Sequence, residues 1–303
     1  MNETVTKTLE LTSDVVFKAF MTSNKTLKYK SYLLSEITKL PREIFMKAEY
    51  KTIELNPKHG KSKVYRTDVF IETEENITFI LEMNNAKYKD SIIKSFAYSF
   101  RAISEKLDSG DKYKKIGKHT LIDFNNFSLD NFNILLDEDG IVSLYTNKLV
   151  TDIWKSYRIN LVRAKDKCYN EDEERIRYLL KIFDQNEIKN IKRGIIMDKD
   201  LEDAMMEAVD ELERIRMDKK IIGLYDAEKR ERMIRNSMID EAKEEGMNEG
   251  LQEGMKKGME KGKKEGMKEG KIITAKEMFK DGIDISRISK YTGLSIKELN
   301  LLN

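Results

Sequence analysis

Residues 68–84, DVFIETEENITFILEMN, decide the fold of this chain. Two runs rich in β-branched and aromatic residues flank the polar residues 72–76, which have the length of a hairpin loop. An antiparallel hairpin centred on Glu75 sets Asp68 opposite Glu82, with Cβ atoms about 5 Å apart. Asn84 shares the face of Glu82 because side chains alternate along a strand. Facing like charges destabilise a sheet unless a cation lies between them, and hard carboxylate oxygens suit Mg²⁺. A solvated edge hairpin with unrelated acids is the alternative.

The segments around this hairpin predict a mixed α/β domain that ends near residue 165. The order of helices and strands supports this fold class. Thr12 or Ser13 is expected to cap the first helix, and Pro41 ends the helical region. Helices are predicted at 12–40, in two apolar runs, and at 90–107. A first strand is predicted somewhere within 44–55, and further strands at 63–71, 77–83, 119–124, 132–136, 141–146 and 153–163. A turn is predicted at 137–140.

The composition after Cys168 shifts to helix-forming residues and predicts an all-helical C-terminal region. Amphipathic helices are expected at 171–185 and 199–218. We therefore divide the chain into four parts: a domain at 1–165, a helical region at 166–240, a glycine-repeat segment at 241–271 and a small helical segment at 272–303.

Glycine recurs at every fourth position of the segment 241–271. Seven glycines cost a helix roughly 7 kcal/mol relative to alanine, so the segment is expected to be weakly helical alone. It is either a self-associating helix or a solvated spacer. The last residues resemble a miniature helix-turn-helix, with Ser295 and Glu298 forming a capping box. DNA binding and a role in packing or oligomerisation both stay open for them.

Composition excludes several kinds of site. One cysteine rules out an internal disulfide, and two histidines leave little material for an imidazole-based metal centre. No apolar run reaches the roughly 18 residues of a membrane span, and the first residues lack an apolar signal core. A cytoplasmic location without a membrane partner is therefore expected. Residues 1–124 carry 22 basic and 17 acidic residues, an excess that indicates either affinity for a polyanion or an ordinary lysine-rich surface.

The arrangement Asp68…Glu82-Met83-Asn84 resembles the PD-(D/E)xK nuclease superfamily. The whole chain is similar to its recombination-promoting nuclease family, often labelled transposase. The other segments that carry the resemblance are Asp14-Val15-Val16-Phe17-Lys18, residues 107–113 with the strand after them, and the glycine-repeat segment with Thr292-Gly293-Leu294-Ser295.

The resemblance implies a restriction-endonuclease-like mixed sheet flanked by helices and Mg²⁺-dependent cleavage of DNA, with Mn²⁺ as a substitute ion. Asp68 and Glu82 carry over as metal ligands, and Asn84 as the third catalytic residue. Asn84 departs from the lysine that is usual in the superfamily and from the glutamine that is common in this family. Unlike lysine, asparagine makes only neutral hydrogen bonds, and its side chain is shorter than that of glutamine. Other candidates are Glu36 as an outer-shell ligand and, as phosphate contacts, Lys87, Lys94 and Arg101.

Two functions from different classes follow. The first is a metal-dependent DNA endonuclease linked to recombination or mobile DNA. The second is a catalytically silent DNA-binding or self-assembling protein with a degenerate nuclease fold, which the presence of Asn84 and the repeat motivate. The segment 241–303 is the expected site of homo-oligomerisation.

Overall fold

The structure of the protein is a computed structural model that describes residues 9–55, 65–86, 91–105, 111–128, 134–166, 171–191 and 198–302. The chain divides into two compact units, Met1–Lys229 and Arg230–Asn303. Among the described residues, no helix is both long and apolar enough to cross a membrane.

The first unit is built on a six-stranded mixed sheet with the strand order β1-β4-β5-β6-β8-β7. The central pairs β5–β6 and β6–β8 are parallel, and the outer pairs are antiparallel. The strands of this sheet are β1 (Glu49–Lys51), β4 (Val69–Glu72), β5 (Ile77–Asn84), β6 (Lys118–Asn125), β7 (Leu136–Val142) and β8 (Leu149–Asn160), while β2 (Glu54–Leu55) and β3 (Tyr65–Arg66) pair separately.

The hairpin of β4 and β5 has the register expected from the sequence, since Val69 pairs with Leu81 and Phe70 with Ile80. The single strand expected at 63–71 is wrong, because the chain breaks between β3 and β4 at Thr67 and Asp68. The break has a local cause: the Asp68 carboxylate accepts a hydrogen bond from the Met83 backbone N–H at 2.9 Å. The Asp68 carboxylate thus accepts a hydrogen bond that a backbone carbonyl would accept in a regular antiparallel pair.

The turn expected at 137–140 is also wrong, because these residues lie inside β7. Arg158 on β8 binds both Asp137, at 2.6 Å, and Asp139, at 2.9 Å, so these acids pair across strands. The chain turns later, where Asn147 adopts a positive φ of 53° and the Ser143 N–H donates to the Lys148 carbonyl.

Helices cover both faces of the sheet. The main core lies on one face, where Phe17, Leu33, Phe79 and Phe124 are fully buried. On the other face Ala102 of α4 packs with Ile80 and Leu121. The helices of the first unit are α1 (Asp14–Thr22), α2 (Leu27–Thr38), α3 (Arg42–Lys47), α4 (Ser91–Glu105), α5 (Glu171–Leu180), α6 (Gln185–Ile188) and α7 (Lys199–Met217).

The second unit consists of the greater part of the long helix α8 (Lys219–Lys280) with α9 (Ile285–Thr292) and α10 (Ile296–Asn300). Ala275, Ile288, Leu294 and Leu299 form its small core. The expected capping box is present, since Ser295 and Glu298 bond reciprocally at the start of α10. The repeat segment is a continuous part of α8.

The fold class expected from the sequence is confirmed: a mixed sheet flanked by helices precedes a helical C-terminal region. Helices α5 and α7 contribute Leu179, Leu201 and Leu212 to the core shared with the sheet. The first compact unit therefore extends beyond residue 165, and the four-part division of the chain stays a prediction.

Candidate active site

Asp68 and Glu82 meet at the end of the β4–β5 hairpin. Glu82 Oε1 accepts a hydrogen bond from the Asp68 backbone N–H at 3.4 Å, and Asp68 Oδ2 accepts one from the Met83 N–H at 2.9 Å. Asp68 is 6% exposed and Glu82 is 3% exposed. The backbone of Asp68 thus holds Glu82, and the backbone of Met83 holds Asp68. Both acids lie in a region with little water to screen their charges.

A lysine from the first helix completes this pair. Lys18 Nζ lies 3.0 Å from Asp68 Oδ1 and 3.6 Å from Asp14 Oδ2. Its side chain is 30% exposed, so the ammonium group lies at the boundary between the acids and solvent. Lys18 therefore supplies a positive charge at the site, where sequence motifs of this kind usually supply a lysine on the second strand of the hairpin.

Helix α1 holds Lys18 in place through its cap and its apolar side. Ser13 caps the helix by accepting from the Val16 N–H at 3.3 Å. Phe17 is fully buried against Phe124 of β6, with ring centroids 5.7 Å apart. Because Lys18 directly follows Phe17, the packing of the helix on the sheet fixes the backbone position from which the Lys18 side chain extends.

Asn84 belongs to a polar network on two parallel strands. Its Nδ2 donates to Asp123 Oδ1 at 3.3 Å and to Asn125 Oδ1 at 3.4 Å. The register of β5 and β6 pairs Glu82 with Asp123 and Asn84 with Asn125. The amide nitrogen of Asn84 is therefore engaged by its neighbours, and its oxygen is the atom that could accept from a water.

The charges of the site influence one another. Burial raises the pKa of Asp68 above its ordinary value and Asp14 adds to this, while Lys18 and the Met83 N–H act against it. Burial would lower the pKa of Lys18, but Asp68, Asp14 and Glu82 together raise it above its usual range. Lys18 is therefore a stable cation, and it lies next to Asp68, whose charged form is disfavoured by burial.

The other predicted site residues have different surroundings. Glu36 contacts Arg175 at 2.7 Å and Lys39 at 3.6 Å, in an ion pair between α2 and α5, so its outer-shell role stays a prediction. Arg101 lies half-buried on α4. Lys87 and the side chain of Lys94 fall outside the described residues. The contacts with phosphate expected of these residues stay predictions.

Two neighbours of the acid pair, Lys18 and Asp123, were not predicted from the sequence. Lys18 is a single charge within an apolar helical run, one turn after Asp14, and its position points it away from the buried side. Asp123 is the single charged residue in the apolar strand sequence of residues 119–124. Both signals are visible in the sequence, but only the packing of α1 and the pairing of β6 bring these residues to the acids.

Residues 11–242 match the family model described as PD-(D/E)XK nuclease family transposase. The chain belongs to this family. The family indicates a nuclease or transposase-related function, and the position of Asp68 and Glu82 at the hairpin agrees with the sequence motif. The search of curated proteins and the search of solved structures each gave no match.

The donor set of this family member fits a hard divalent cation. The part of the chain that the structure describes holds no group of three or more His, Cys, Asp or Glu side chains in a metal-binding arrangement. Mg²⁺ commonly needs only one or two carboxylates, together with water and substrate phosphate. The Lys18 ammonium, 3.0 Å from Asp68, indicates that these carboxylates attract a cation.

Proposed function

We propose that the chain is a metal-dependent DNA endonuclease that hydrolyses phosphodiester bonds in recombining or mobile DNA. The observation that carries the proposal is the buried acid pair Asp68 and Glu82 beside the Lys18 ammonium. Family membership supports hydrolysis of nucleic acid, and two carboxylates support a divalent ion as cofactor, Mg²⁺ with Mn²⁺ as a substitute.

Each residue has a distinct task in this proposal. Asp68 and Glu82 hold the ion, which when bound lowers the pKa of a water and offsets negative charge on the phosphate. Lys18 donates to a phosphate oxygen and stabilises the charge that develops there. Asn84, held by Asp123 and Asn125, accepts a hydrogen bond from the attacking water and orients it.

Lys18 supplies from α1 the positive charge that Asn84 does not provide at the third position of the motif. An ammonium group stabilises a phosphate oxygen as a charge, whereas an amide does so only as a dipole. The Lys18 ammonium lies 3.0 Å from Asp68, so its flexible side chain is close enough to donate to a phosphate that an ion at the acid pair would hold.

A second function rests on the same ion pair. If Lys18 serves only to neutralise Asp68, the acids need no metal, and the protein binds DNA or assembles without cutting it. Asn84 favours this alternative, because it offers no charge of its own at the third position of the motif.

Nicking of supercoiled plasmid by the purified full chain distinguishes the two functions. With Mg²⁺ the wild type nicks the plasmid, and Asp68→Asn loses at least ~10²-fold in rate, because a metal supplies several kcal/mol of charge stabilisation. Asp152→Asn is the matched control, since Asp152 is about half exposed and pairs with Lys118 at 2.5 Å. DNA binding without any Mg²⁺-dependent nicking would establish the silent function, and nicking that persists in Asp68→Asn would refute this site.

A further inference from the structure

The repeat helix carries apolar side chains that nothing in its own unit covers. Five of them recur along residues 247–267 and are between 59% and 77% exposed. They are Met247, Leu251, Met255, Met259 and Met267. At each of the seven repeat glycines, a Cβ atom would meet nothing within 4 Å among the described residues. This side of α8 is therefore open to close approach by another helix.

The helix has little to stabilise it alone. Seven glycines make the segment a much poorer helix former than alanine at the same positions would. Ion pairs within the segment, such as Glu253–Lys257 at 2.6 Å and Lys261–Glu265 at 3.9 Å, are exposed and stabilise a helix only weakly. Most helices gain their stability from burial of an apolar face, and residues 241–271 have no such burial within the unit.

The charges of the segment divide it into two halves of opposite sign. Residues 241–253 hold five glutamates and one lysine, a net charge of −4. Residues 256–271 hold seven lysines and three glutamates, a net charge of +4. The helix dipole does not account for this division, because both halves lie well inside α8, where the dipole has no free terminus.

We propose that the segment 241–271 pairs antiparallel with the same segment of a second copy of this chain. In that orientation each acidic half faces a basic half, whereas a parallel pair would align like charges along its whole length. An antiparallel pair that is symmetric about Lys257 places Met255 beside Met259 and Met247 beside Met267 of the second copy.

The period of the repeat is compatible with such a pair. A step of four residues advances about 40° beyond a full turn, so on a straight helix the apolar stripe turns about 200° between Met247 and Met267. Two helices keep such stripes in contact only by coiling around each other with a right-handed twist, because the period exceeds 3.6 residues. Glycine before each apolar residue lets the backbones come close. The pairing is independent of the nuclease proposal.

Charge reversal in the full chain tests the orientation. One variant reverses the acidic half, through Glu244→Lys, Glu245→Lys, Glu249→Lys and Glu253→Lys. A second reverses the basic half, through Lys256→Glu, Lys257→Glu, Lys261→Glu and Lys264→Glu. A third variant carries both sets and restores the opposite signs of the two halves.

Molar mass by light scattering over a concentration series reports the pairing. The wild type and the third variant are expected to dimerise alike. Each single-half variant is expected to dimerise at least ~10-fold more weakly, because several attractive pairs become repulsive together. Mixing the two single-half variants is expected to restore the dimer. A wild type that stays monomeric, or a dimer whose mass neither reversal changes, would overturn the proposal.

Disulfide cross-linking supplies an independent measurement of direction. In a Cys168→Ser background, Met247→Cys and Met267→Cys are each expected to remain uncrosslinked alone and to crosslink when the two are mixed. If each variant crosslinked with itself and mixing the two gave no additional crosslinked product, the pair would be parallel. Far-ultraviolet circular dichroism checks that each variant keeps the helix content of the wild type.

Discussion

The units Met1–Lys229 and Arg230–Asn303 use charged residues in opposite ways. In the first, Asp68 and Glu82 are buried, Glu82 accepts from the Asp68 backbone N–H, and Asp68 accepts from the Met83 backbone N–H. In the second, the charges of the repeat lie exposed along one helix, as in Glu253–Lys257. Water screens the exposed charges and leaves the buried ones strong. A single substitution in the acid pair should therefore have a large effect, whereas several charges of the repeat must be changed together to have one.

The largest expected contrast is in packing. Phe17→Ala removes a fully buried ring from contact with Phe124 and should lower the free energy of unfolding of the first unit by about 3–5 kcal/mol. Met255→Ala, in the exposed stripe of α8, should change the helix stability of the monomeric chain by less than about 0.5 kcal/mol. Urea unfolding followed by fluorescence of Trp154 measures the first unit, and circular dichroism at 222 nm on dilute, monomeric chain measures α8. Equal losses for the two variants would remove the distinction between the units.

The next contrast concerns the lysine of the acid pair. Lys18→Met keeps most of the length of the unbranched side chain but removes the ammonium that lies 3.0 Å from Asp68. Plasmid nicking should fall by ~10–100-fold because a donor to the phosphate is lost, while Mn²⁺ should bind as tightly or more tightly.

Lys18→Arg is the matched variant for this experiment, since it retains the charge and should recover part of the nicking rate. A fall in Mn²⁺ affinity in Lys18→Met, with nicking unchanged, would show that the lysine only supports the acids.

A third prediction uses the pH dependence of a buried lysine. Lys30 is fully buried, donates to the Met21 carbonyl at 2.8 Å, and has a pKa that burial lowers to about 7. Between pH 7 and its ordinary pKa of 10.5, the unfolded chain holds this proton and the folded chain releases it. The free energy of unfolding should therefore rise with pH, by the order of 1–2 kcal/mol from pH 7 to pH 9.

Lys30→Met is the control for that measurement, because it removes the titrating group from the same buried position. The difference in unfolding free energy between wild type and variant, followed by urea titration at each pH, isolates the contribution of Lys30. A difference that stays constant from pH 7 to pH 9 would contradict the lowered pKa.

The smallest effect is expected from one ion pair of the repeat. Glu253→Gln breaks the exposed pair with Lys257 and should cost less than about 0.5 kcal/mol of helix stability. Circular dichroism at 222 nm during thermal unfolding measures this change. A loss comparable to that from Phe17→Ala would mean that single charges in α8 matter as much as the core.

The hairpin was predictable because its information is local. The alternation and the loop at 72–76 fix which residues pair, and Val69 does pair with Leu81. The capping box of Ser295 and Glu298 was predictable for the same reason, since its two residues are three positions apart.

The rest of the candidate site depends on contacts between distant segments. Lys18 reaches Asp68 only because Phe17 packs α1 against β6, and no short pattern contains that contact. The expected turn at 137–140 was wrong for a related reason. Its acids bind Arg158, a residue about 20 positions away, and local turn preference yields to that pairing.

The most direct test of the central claim is the binding of Mn²⁺ to the full chain, measured by isothermal titration calorimetry. We predict one Mn²⁺ per chain for the wild type and for Asp152→Asn, with at least ~10-fold weaker binding in both Asp68→Asn and Glu82→Gln. Equal Mn²⁺ affinity in all four proteins, or no binding by the wild type, would contradict the claim that this acid pair holds a divalent cation.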